Sequence, residues 1–342
     1  MDVCIACPPR FMYLGFKNIH SLSNAILLRD AEVCMIFFWK TAEQLGLPFL
    51  PPYLGPDKDF RRGVNFAVAG ATALDLSFLE ERKIFNNCTE NSLGIQLEWF
   101  KQLLPSLCSN PSDCNGFLGT SLFVVGEIGG NDLNYAFFEK HSLDEIQTFV
   151  PLVINTIASA INTVIEYGAR TILVPGNLPI GCLPVYLILL KSPDEEDYDP
   201  RTGCLRYLNE FSENYNHLLK RKLDGLRALH PNATILYADY YNAAMPMYVS
   251  PQKYEGWDDK KQNPFFVAGF SNGALMACCG GGGPHNRNIS AVCGSGLEQV
   301  CSDPSTYVSW DGIHLTEAAY RLMADRLMEG LHFTPPITNP ST

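Results

Sequence analysis

The sequence contains no run of basic residues, and its formal net charge of −11 is spread along 342 residues. Electrostatic attraction to a nucleic-acid backbone or to anionic lipid is therefore excluded as a driving force, and no nucleic-acid partner is expected. The sequence also lacks an uninterrupted run of 18 or more apolar residues, so we expect no transmembrane segment. These absences favour a small neutral or cationic molecule as the partner.

Charged residues make up only 18% of the chain, whereas hydrophobic residues make up 46%. This balance excludes an intrinsically disordered protein and allows one large domain with a full hydrophobic core. The sequence has no internal repeats. We expect a monomer.

The chain has twelve cysteines, but the Cys278-Cys279 pair has no Cys-x2-Cys or His partner at zinc spacing, so no metal is expected. Disulfides are the favoured interpretation, although spacing leaves most pairings open. Cys182 and Cys204 flank the acidic segment 192–200, and we expect them to be joined, because closing such a loop stabilises a fold by about 3 kcal/mol. That segment is interpreted as a solvated loop, with a lid over the site as the alternative.

Three N-glycosylation sequons begin at Asn87, Asn232 and Asn288, which together with the cysteines indicates a secretory route. The first ten residues do not fit a signal peptide, because they contain an acid where positive charge is expected and too short an apolar stretch.

From residue 61 onward, short β-rich runs alternate with longer helical patterns, which predicts a parallel sheet covered by helices on both faces. The predicted strands are Val64–Val68, Ser121–Val125, Thr171–Val174 and Thr234–Ala238, and the predicted helices are Leu93–Leu104, Leu143–Tyr167, Leu205–Leu229 and Thr316–Gly330. Ligands bind at the carboxyl ends of the strands in such sheets.

Near the C-terminus, Trp310-Asp311-Gly312-Ile313-His314-Leu315-Thr316 precedes a predicted helix. His314 is the only histidine three residues after an aspartate, and this spacing suits a base (His314) oriented by an acid (Asp311). The alternatives are a structural histidine and a helix-capping aspartate, and Thr316 is also available as the cap.

Two upstream segments strengthen this interpretation: Gly63-Val64-Asn65-Phe66-Ala67-Val68-Ala69-Gly70-Ala71 and Val124-Val125-Gly126-Glu127-Ile128-Gly129-Gly130-Asn131-Asp132. With the C-terminal segment, they resemble, in order, three sequence blocks of the plant GDSL esterase/lipase family, a branch of the SGNH hydrolases. The segments Pro175–Pro184 and Cys278–Pro284 add to the resemblance, which runs from about residue 45 to residue 331.

The resemblance implies a flavodoxin-like three-layer α/β/α fold without metal or organic cofactor. It divides the chain into an atypical N-terminal segment (1–44), a hydrolase domain (45–331) and a C-terminal tail (332–342). It also implies that Asn131 and Gly70 form the oxyanion hole; the alternative for each is a turn residue. Asp132 is interpreted as structural.

The nucleophile is missing from this pattern. The family's first block is Gly-Asp-Ser-Leu directly after the first strand, and no Gly-Asp-Ser occurs in this chain. Ser21 and Ser23, in His20-Ser21-Leu22-Ser23, are the weak candidates. The strand before the block is also not identifiable, and Met35–Phe38 or Val3–Ile5 are the candidates to fill its place.

The resemblance predicts a serine ester hydrolase by descent, whose family acts on sugar acetates, phenolic choline esters, alkaloid acetates and fatty acyl esters. Nothing in the sequence selects one of these. The alternative is a non-catalytic protein that binds esters or glycans without turnover. Either this chain has lost its catalyst or its N-terminal region is an alternative or mispredicted exon.

Overall fold

The computed structural model describes residues 24–28, 50–56, 59–258, 263–288, 290–330 and 332–336. Their central feature is a six-stranded sheet. It contains β1 (Asn24–Leu28), β2 (Gly63–Asn65), β3 (Ser121–Val125), β4 (Thr171–Pro175), β5 (Thr234–Ala238) and β10 (Phe333–Thr334).

The strand order is β10-β5-β4-β3-β1-β2, and every pair is parallel except β10 with β5. The order of the first five strands, 2-1-3-4-5, is that of flavodoxin-like folds, as expected from the sequence. All five residues of β3 are buried, because a central parallel strand is covered on both faces. The chain changes direction across the sheet between β1 and β3, which is where such folds bind ligands.

The strand β1 corrects an expectation from the sequence. The place of the first strand is filled by Asn24–Leu28, which pairs with β3 over five residues and with β2 on its other side. The sequence pattern missed it because Asn-Ala-Ile-Leu-Leu is short and has one β-branched residue, so pairing within the sheet overrides a weak strand propensity. The earlier candidates, Met35–Phe38 and Val3–Ile5, lie outside the described residues.

Helices cover the sheet in a three-layer α/β/α arrangement. They are α1 (Leu76–Glu80), α2 (Leu93–Leu107), α3 (Pro111–Gly119), α4 (Gly130–Phe138), α5 (Leu143–Glu166), α6 (Pro184–Leu189), α7 (Arg206–Leu229), α8 (Tyr240–Val249) and α9 (Glu317–Met328). Two antiparallel strand pairs lie outside the main sheet: β6 (Lys253–Asp258) with β7 (Asn263–Ala268), and β8 (Cys279–Gly280) with β9 (Gln299–Val300).

By length and composition alone, α5 could cross a membrane. However, 56% of its most apolar window is buried inside the fold, and the helix packs against α2, α4 and α7. Its apolar face includes Ile146, Val153 and Ile161, each fully buried. These contacts are typical of the core helix of an α/β domain.

Four disulfides join described cysteines. One links Cys182 to Cys204 with a Cα–Cα distance of 4.4 Å, which confirms the pairing predicted across the acidic segment. In that segment residues 193–196 are exposed. The other disulfides are Cys108–Cys114, Cys278–Cys301 and Cys279–Cys293, so the adjacent cysteines 278 and 279 are both committed to disulfides.

Candidate active site

His314 and Asp311 are joined as the sequence predicted. The Nδ1 atom of His314 lies 2.6 Å from Oδ2 of Asp311, and Oδ1 of the same carboxylate accepts the backbone N–H groups of Ile313 at 2.9 Å and His314 at 2.8 Å. Asp311 is 1% exposed, whereas the His314 side chain is 33% exposed and faces a pocket. Thr316 caps α9 by accepting the N–H of Ala319, so Asp311 does not serve as that cap.

Asp311 remains ionised despite its burial. Burial alone would raise the pKa of this carboxyl, but the charge of His314 and the hydrogen bonds from His314 and Ile313 outweigh it and lower the pKa to about 2. The pair is therefore an anionic carboxylate hydrogen-bonded to Nδ1 of an imidazole. This is the arrangement that orients a histidine base and stabilises the imidazolium formed when it takes a proton.

A loop closed by two disulfides supports this pair, and no local sequence pattern predicted that contact. The backbone N–H of Cys278 donates to the carbonyl of Ser309 at 3.0 Å, and that of Cys279 donates to Trp310 at 2.7 Å. From the same loop, the buried Arg287 donates through Nη1 to the backbone carbonyl of Asp311 at 3.0 Å. The cysteine-rich loop thus fixes the backbone on which the aspartate stands.

Asn131 lies at the start of α4, directly after the turn that leaves β3. Gly129 makes this turn possible because its φ of +100° is disfavoured for other residues, and a Cβ there would lie 2.5 Å from a methyl group of Val153. The side chain of Asn131 faces the pocket and donates through Nδ2 to the carbonyl of Ala71 at 3.0 Å. The amide is therefore already oriented with its nitrogen toward the loop that contains Gly70.

The loop after β2 is held by side chains of α4. Both carboxylate oxygens of the fully buried Asp132 accept backbone N–H groups, from Ala73 and Leu74, each at 2.8 Å. These bonds explain why Asp132 is structural, as the sequence indicated. The same helix presents Tyr135, whose hydroxyl donates to the carbonyl of Gly70 at 3.1 Å.

Gly70 has a φ of +75°, and a Cβ there would lie 2.4 Å from Cβ of Cys88 and 2.8 Å from the hydroxyl of Tyr135. The position therefore requires glycine for both backbone conformation and space. Gly70 does not itself line the pocket; the Ala71 carbonyl connects its loop to Asn131. Gly70 and Asn131 lie at the same end of the sheet as His314.

The pocket lies at the carboxyl ends of β3 and β4. Tyrosines 215, 240 and 320 line part of it, and an aliphatic wall consists of Leu178, Ile180, Leu183 and Ile313.

The wall that follows β4 is fastened to one face of α7. Asn216 makes two bonds to the backbone of Asn177, accepting its N–H at 2.6 Å and donating to its carbonyl at 2.9 Å. One and two turns earlier on α7, Ser212 accepts the N–H of Ile180 at 3.4 Å and Asn209 that of Gly181 at 3.0 Å. These three polar side chains are buried, so their hydrogen bonds fix the wall rigidly.

No serine, threonine or cysteine is among the described residues that line the pocket. Ser21 and Ser23 lie outside the described residues. By chain order, Ser23 directly precedes Asn24, the first residue of β1, whereas the pocket lies at the carboxyl ends of the parallel strands.

The architecture and the site together define a three-layer α/β/α protein with an acid–histidine pair of the kind found in serine hydrolases. Residues 40–327 match the model of the GDSL-like lipase/acylhydrolase family. A GDSL esterase/lipase of Arabidopsis thaliana, At1g28580, is 49% identical over 296 residues, which are 86% of this chain and 72% of that protein. A second, At1g31550, is 50% identical over 297 residues, with 86% and 71% of the two chains covered. The sinapine esterase of Brassica napus is 47% identical over 331 residues, or 96% of this chain and 80% of the relative.

The chain therefore belongs to the GDSL esterase/lipase family and is an ester hydrolase by descent.

Proposed function

We propose that the pocket binds a carboxylic ester and that His314 is its general base, with Asp311 orienting the imidazole. The observation that carries the proposal is the 2.6 Å contact between His314 Nδ1 and a buried, ionised Asp311, because it leaves the other imidazole nitrogen as the proton acceptor. Asn131 Nδ2 and the backbone N–H of Gly70 are the proposed oxyanion donors.

The proposed reaction is acyl transfer to a hydroxyl nucleophile followed by hydrolysis. The base takes the proton of the attacking hydroxyl, and the carbonyl oxygen becomes an oxyanion that the two donors stabilise. The base then returns the proton to the leaving alcohol. The donors can be oriented before substrate binds, because Asn131 and Tyr135 of α4 already donate hydrogen bonds to the loop that contains Gly70.

The test is turnover of a small activated acetate by the chain, by a version with a Gly-Asp-Ser block after β1, and by that version carrying His314→Ala. We expect little activity from the chain as it stands, restored activity with the block, and its loss without the imidazole. Ester binding without turnover by the restored version would favour the alternative of a non-catalytic binding protein.

We further propose that residues 45–331 form the hydrolase domain, that the protein acts as a monomer, and that it follows the secretory route. The four disulfides and the exposure of Asn87, Asn232 and Asn288 support the route, since disulfides persist in oxidising compartments. Peptide mapping of non-reduced protein from plant secretions, with and without removal of N-linked glycans, tests it. Unglycosylated peptides with unpaired thiols would contradict it.

A further inference from the structure

We propose that Tyr186 and Asn134 are positioning residues that fix the orientation of the Asn131 side-chain amide. The inference rests on the proposed role of Asn131 as an oxyanion donor. An asparagine amide has an acceptor oxygen on one side and a donor nitrogen on the other. If it rotates by half a turn, the oxygen takes the place of the donor and repels the oxyanion that the nitrogen would stabilise.

Asn131 and Asn134 belong to a series of hydrogen bonds, and one end of that series is a group that can only accept a hydrogen bond. The carbonyl oxygen of Ala71 lies 3.0 Å from Nδ2 of Asn131. This contact turns Oδ1 of Asn131 toward Asn134, whose Nδ2 donates to it at 3.4 Å. The orientation of Asn131 is therefore consistent only if Asn134 presents its nitrogen.

The other end is held by a phenol that stays protonated and can therefore always donate. The Tyr186 hydroxyl donates to Oδ1 of Asn134, which leaves the nitrogen of Asn134 facing Asn131. Tyr186 is 1% exposed, and burial raises the pKa of its phenol far above the ordinary value, so it stays protonated. Its ring is held edge-on by Phe137 at a centroid distance of 5.2 Å.

The hydrogen bonds thus run in one direction, from Tyr186 to Asn134, to Asn131 and to Ala71. Rotating the Asn134 amide alone would place its oxygen against Oδ1 of Asn131. Rotating both amides would place Oδ1 of Asn131 against the carbonyl of Ala71 instead. Each alternative sets two acceptors against each other inside the fold, and this cost keeps the amide in one orientation. Removing the Tyr186 hydroxyl removes the hydrogen bond that holds Oδ1 of Asn134 in place, so the Asn134 side chain can move away and leave Oδ1 of Asn131 without its donor.

The experiment observes the Asn131 amide directly in the protein as it exists. Side-chain NH₂ signals are recorded by NMR on asparagine-labelled protein, and the Asn131 pair is assigned as the one lost in Asn131→Ser. The variants are Tyr186→Phe and Asn134→Ala. The control is Tyr237→Phe, which also removes a buried hydroxyl, but one without a hydrogen-bond partner among the described residues.

We expect the two NH₂ signals of the Asn131 side chain to shift or split in Tyr186→Phe and in Asn134→Ala. They should keep their positions in Tyr237→Phe. A pair that is unchanged in both test variants, with folding verified by circular dichroism, overturns the proposal. So does an equal shift in the control, because it would show a general response to lost buried hydroxyls.

A kinetic measurement separates this proposal from the proposed function. In a version with a restored nucleophile, Tyr186→Phe should lower kcat by about tenfold and leave KM within about twofold, since removing an oxyanion donor outright costs roughly 10²- to 10³-fold. A turnover number unchanged by Tyr186→Phe overturns the positioning role. If the restored version shows no turnover at all, the proposed function fails, and the NMR result alone decides the positioning role.

Discussion

The carboxylate of Asp311 holds His314 at two points: Oδ2 contacts Nδ1 of the ring at 2.6 Å, and Oδ1 accepts the backbone N–H of the same residue at 2.8 Å. The ring and the backbone of the histidine are thus fixed by a single buried side chain. A change at Asp311 should consequently affect both the chemistry of the imidazole and the stability of the loop.

Asp311→Asn tests the chemical effect in a version with a restored nucleophile. The amide can donate a hydrogen bond to Nδ1, which favours the imidazole tautomer that cannot act as a base at the other nitrogen. We expect kcat to fall by about 10⁴-fold, as for the equivalent change in a well-studied serine protease. The measurement is steady-state hydrolysis of an activated ester. A loss of less than about tenfold would contradict the assignment of Asp311 as the orienting acid.

The same residue predicts a pH dependence of stability. Its pKa is lowered from 3.8 to about 2, so ionised Asp311 stabilises the folded state above pH 3.8. This contribution, about 2 kcal/mol, is lost as the pH falls through about 2. Denaturant unfolding at several pH values should show a loss about 2 kcal/mol larger in the parent than in Asp311→Asn, because Asp59, Asp199 and Glu298 have lowered pKa values in both. Asp144→Asn, which changes an exposed carboxylate on α5, is the control and should retain the loss.

The loop between Cys278 and Cys301 should contribute to the acid–histidine pair through the backbone. Replacing both Cys279 and Cys293 by serine removes one of its two disulfides, at a cost of about 3 kcal/mol for a loop of this length. We expect a lower free energy of unfolding and faster amide hydrogen exchange at Asp311, because the N–H of Cys279 bonds to Trp310 next to it.

The matched control is the double serine variant of Cys108 and Cys114, whose disulfide lies at the end of α2, away from the pocket. It should lose stability without faster exchange at Asp311. Equal exchange at Asp311 in the two double variants would show that the cysteine-rich loop has no special connection to the site.

Asn216→Ala should loosen the aliphatic wall of the pocket. The substitution leaves the backbone N–H and carbonyl of Asn177 without these partners, which costs about 1 to 3 kcal/mol for each buried group. In a catalytically competent version we expect KM to rise more than kcat falls, since the wall lines the proposed substrate pocket and carries no group for the proton transfer.

Asn162→Ala provides a comparison. Asn162 lies on α5 away from the pocket, and the substitution removes the hydrogen bond between its side chain and His230. It should leave KM unchanged. A KM unaffected by Asn216→Ala would mean that the wall does not contact the substrate.

The sequence predicted most of the sheet and the acid–histidine pair because both depend on local patterns. Buried apolar strands such as Ser121–Val125 stand out between helical segments, and Asp311 and His314 are three residues apart on one turn. The disulfide from Cys182 to Cys204 was predictable because the two cysteines flank one acidic segment.

The features that the sequence did not predict depend on long-range contacts. Nothing local marks Arg287 as the partner of the Asp311 carbonyl, 24 positions away, or Asn216 as the support of Asn177, 39 positions away. The strand β1 was missed for a related reason: Asn-Ala-Ile-Leu-Leu becomes a strand through its pairing with β2 and β3. Pairing with the neighbouring strands stabilises this segment as a strand although its own strand propensity is weak.

The position of β1 makes the prediction about the nucleophile specific. The strand runs parallel to β3, so it ends at Leu28 at the same end of the sheet as the pocket. The next residues in the sequence are Arg29, Asp30 and Ala31. In the family this place after the first strand belongs to Gly-Asp-Ser. By chain order alone, Asp30 stands where that aspartate would be, and Arg29 and Ala31 stand where the glycine and the serine would be. Arg29→Gly together with Ala31→Ser creates a Gly-Asp-Ser block there with two substitutions.

We expect the chain as it stands to show little or no hydrolysis of a small activated acetate, and the double variant to gain at least about 10³-fold. The remaining groups can still polarise an ester, but in a well-studied protease loss of the triad chemistry costs about 10⁶-fold in kcat. His314→Ala in the double variant should abolish the gain. The single variant Ala31→Ser distinguishes the effect of the serine hydroxyl on activity from the effect of the glycine at position 29. Ser21→Ala and Ser23→Ala in the unmodified chain are the decisive comparison. If that chain hydrolyses the acetate at a normal esterase rate and only one of these two substitutions abolishes it, the serine before β1 is the nucleophile and the assignment of position 31 is wrong.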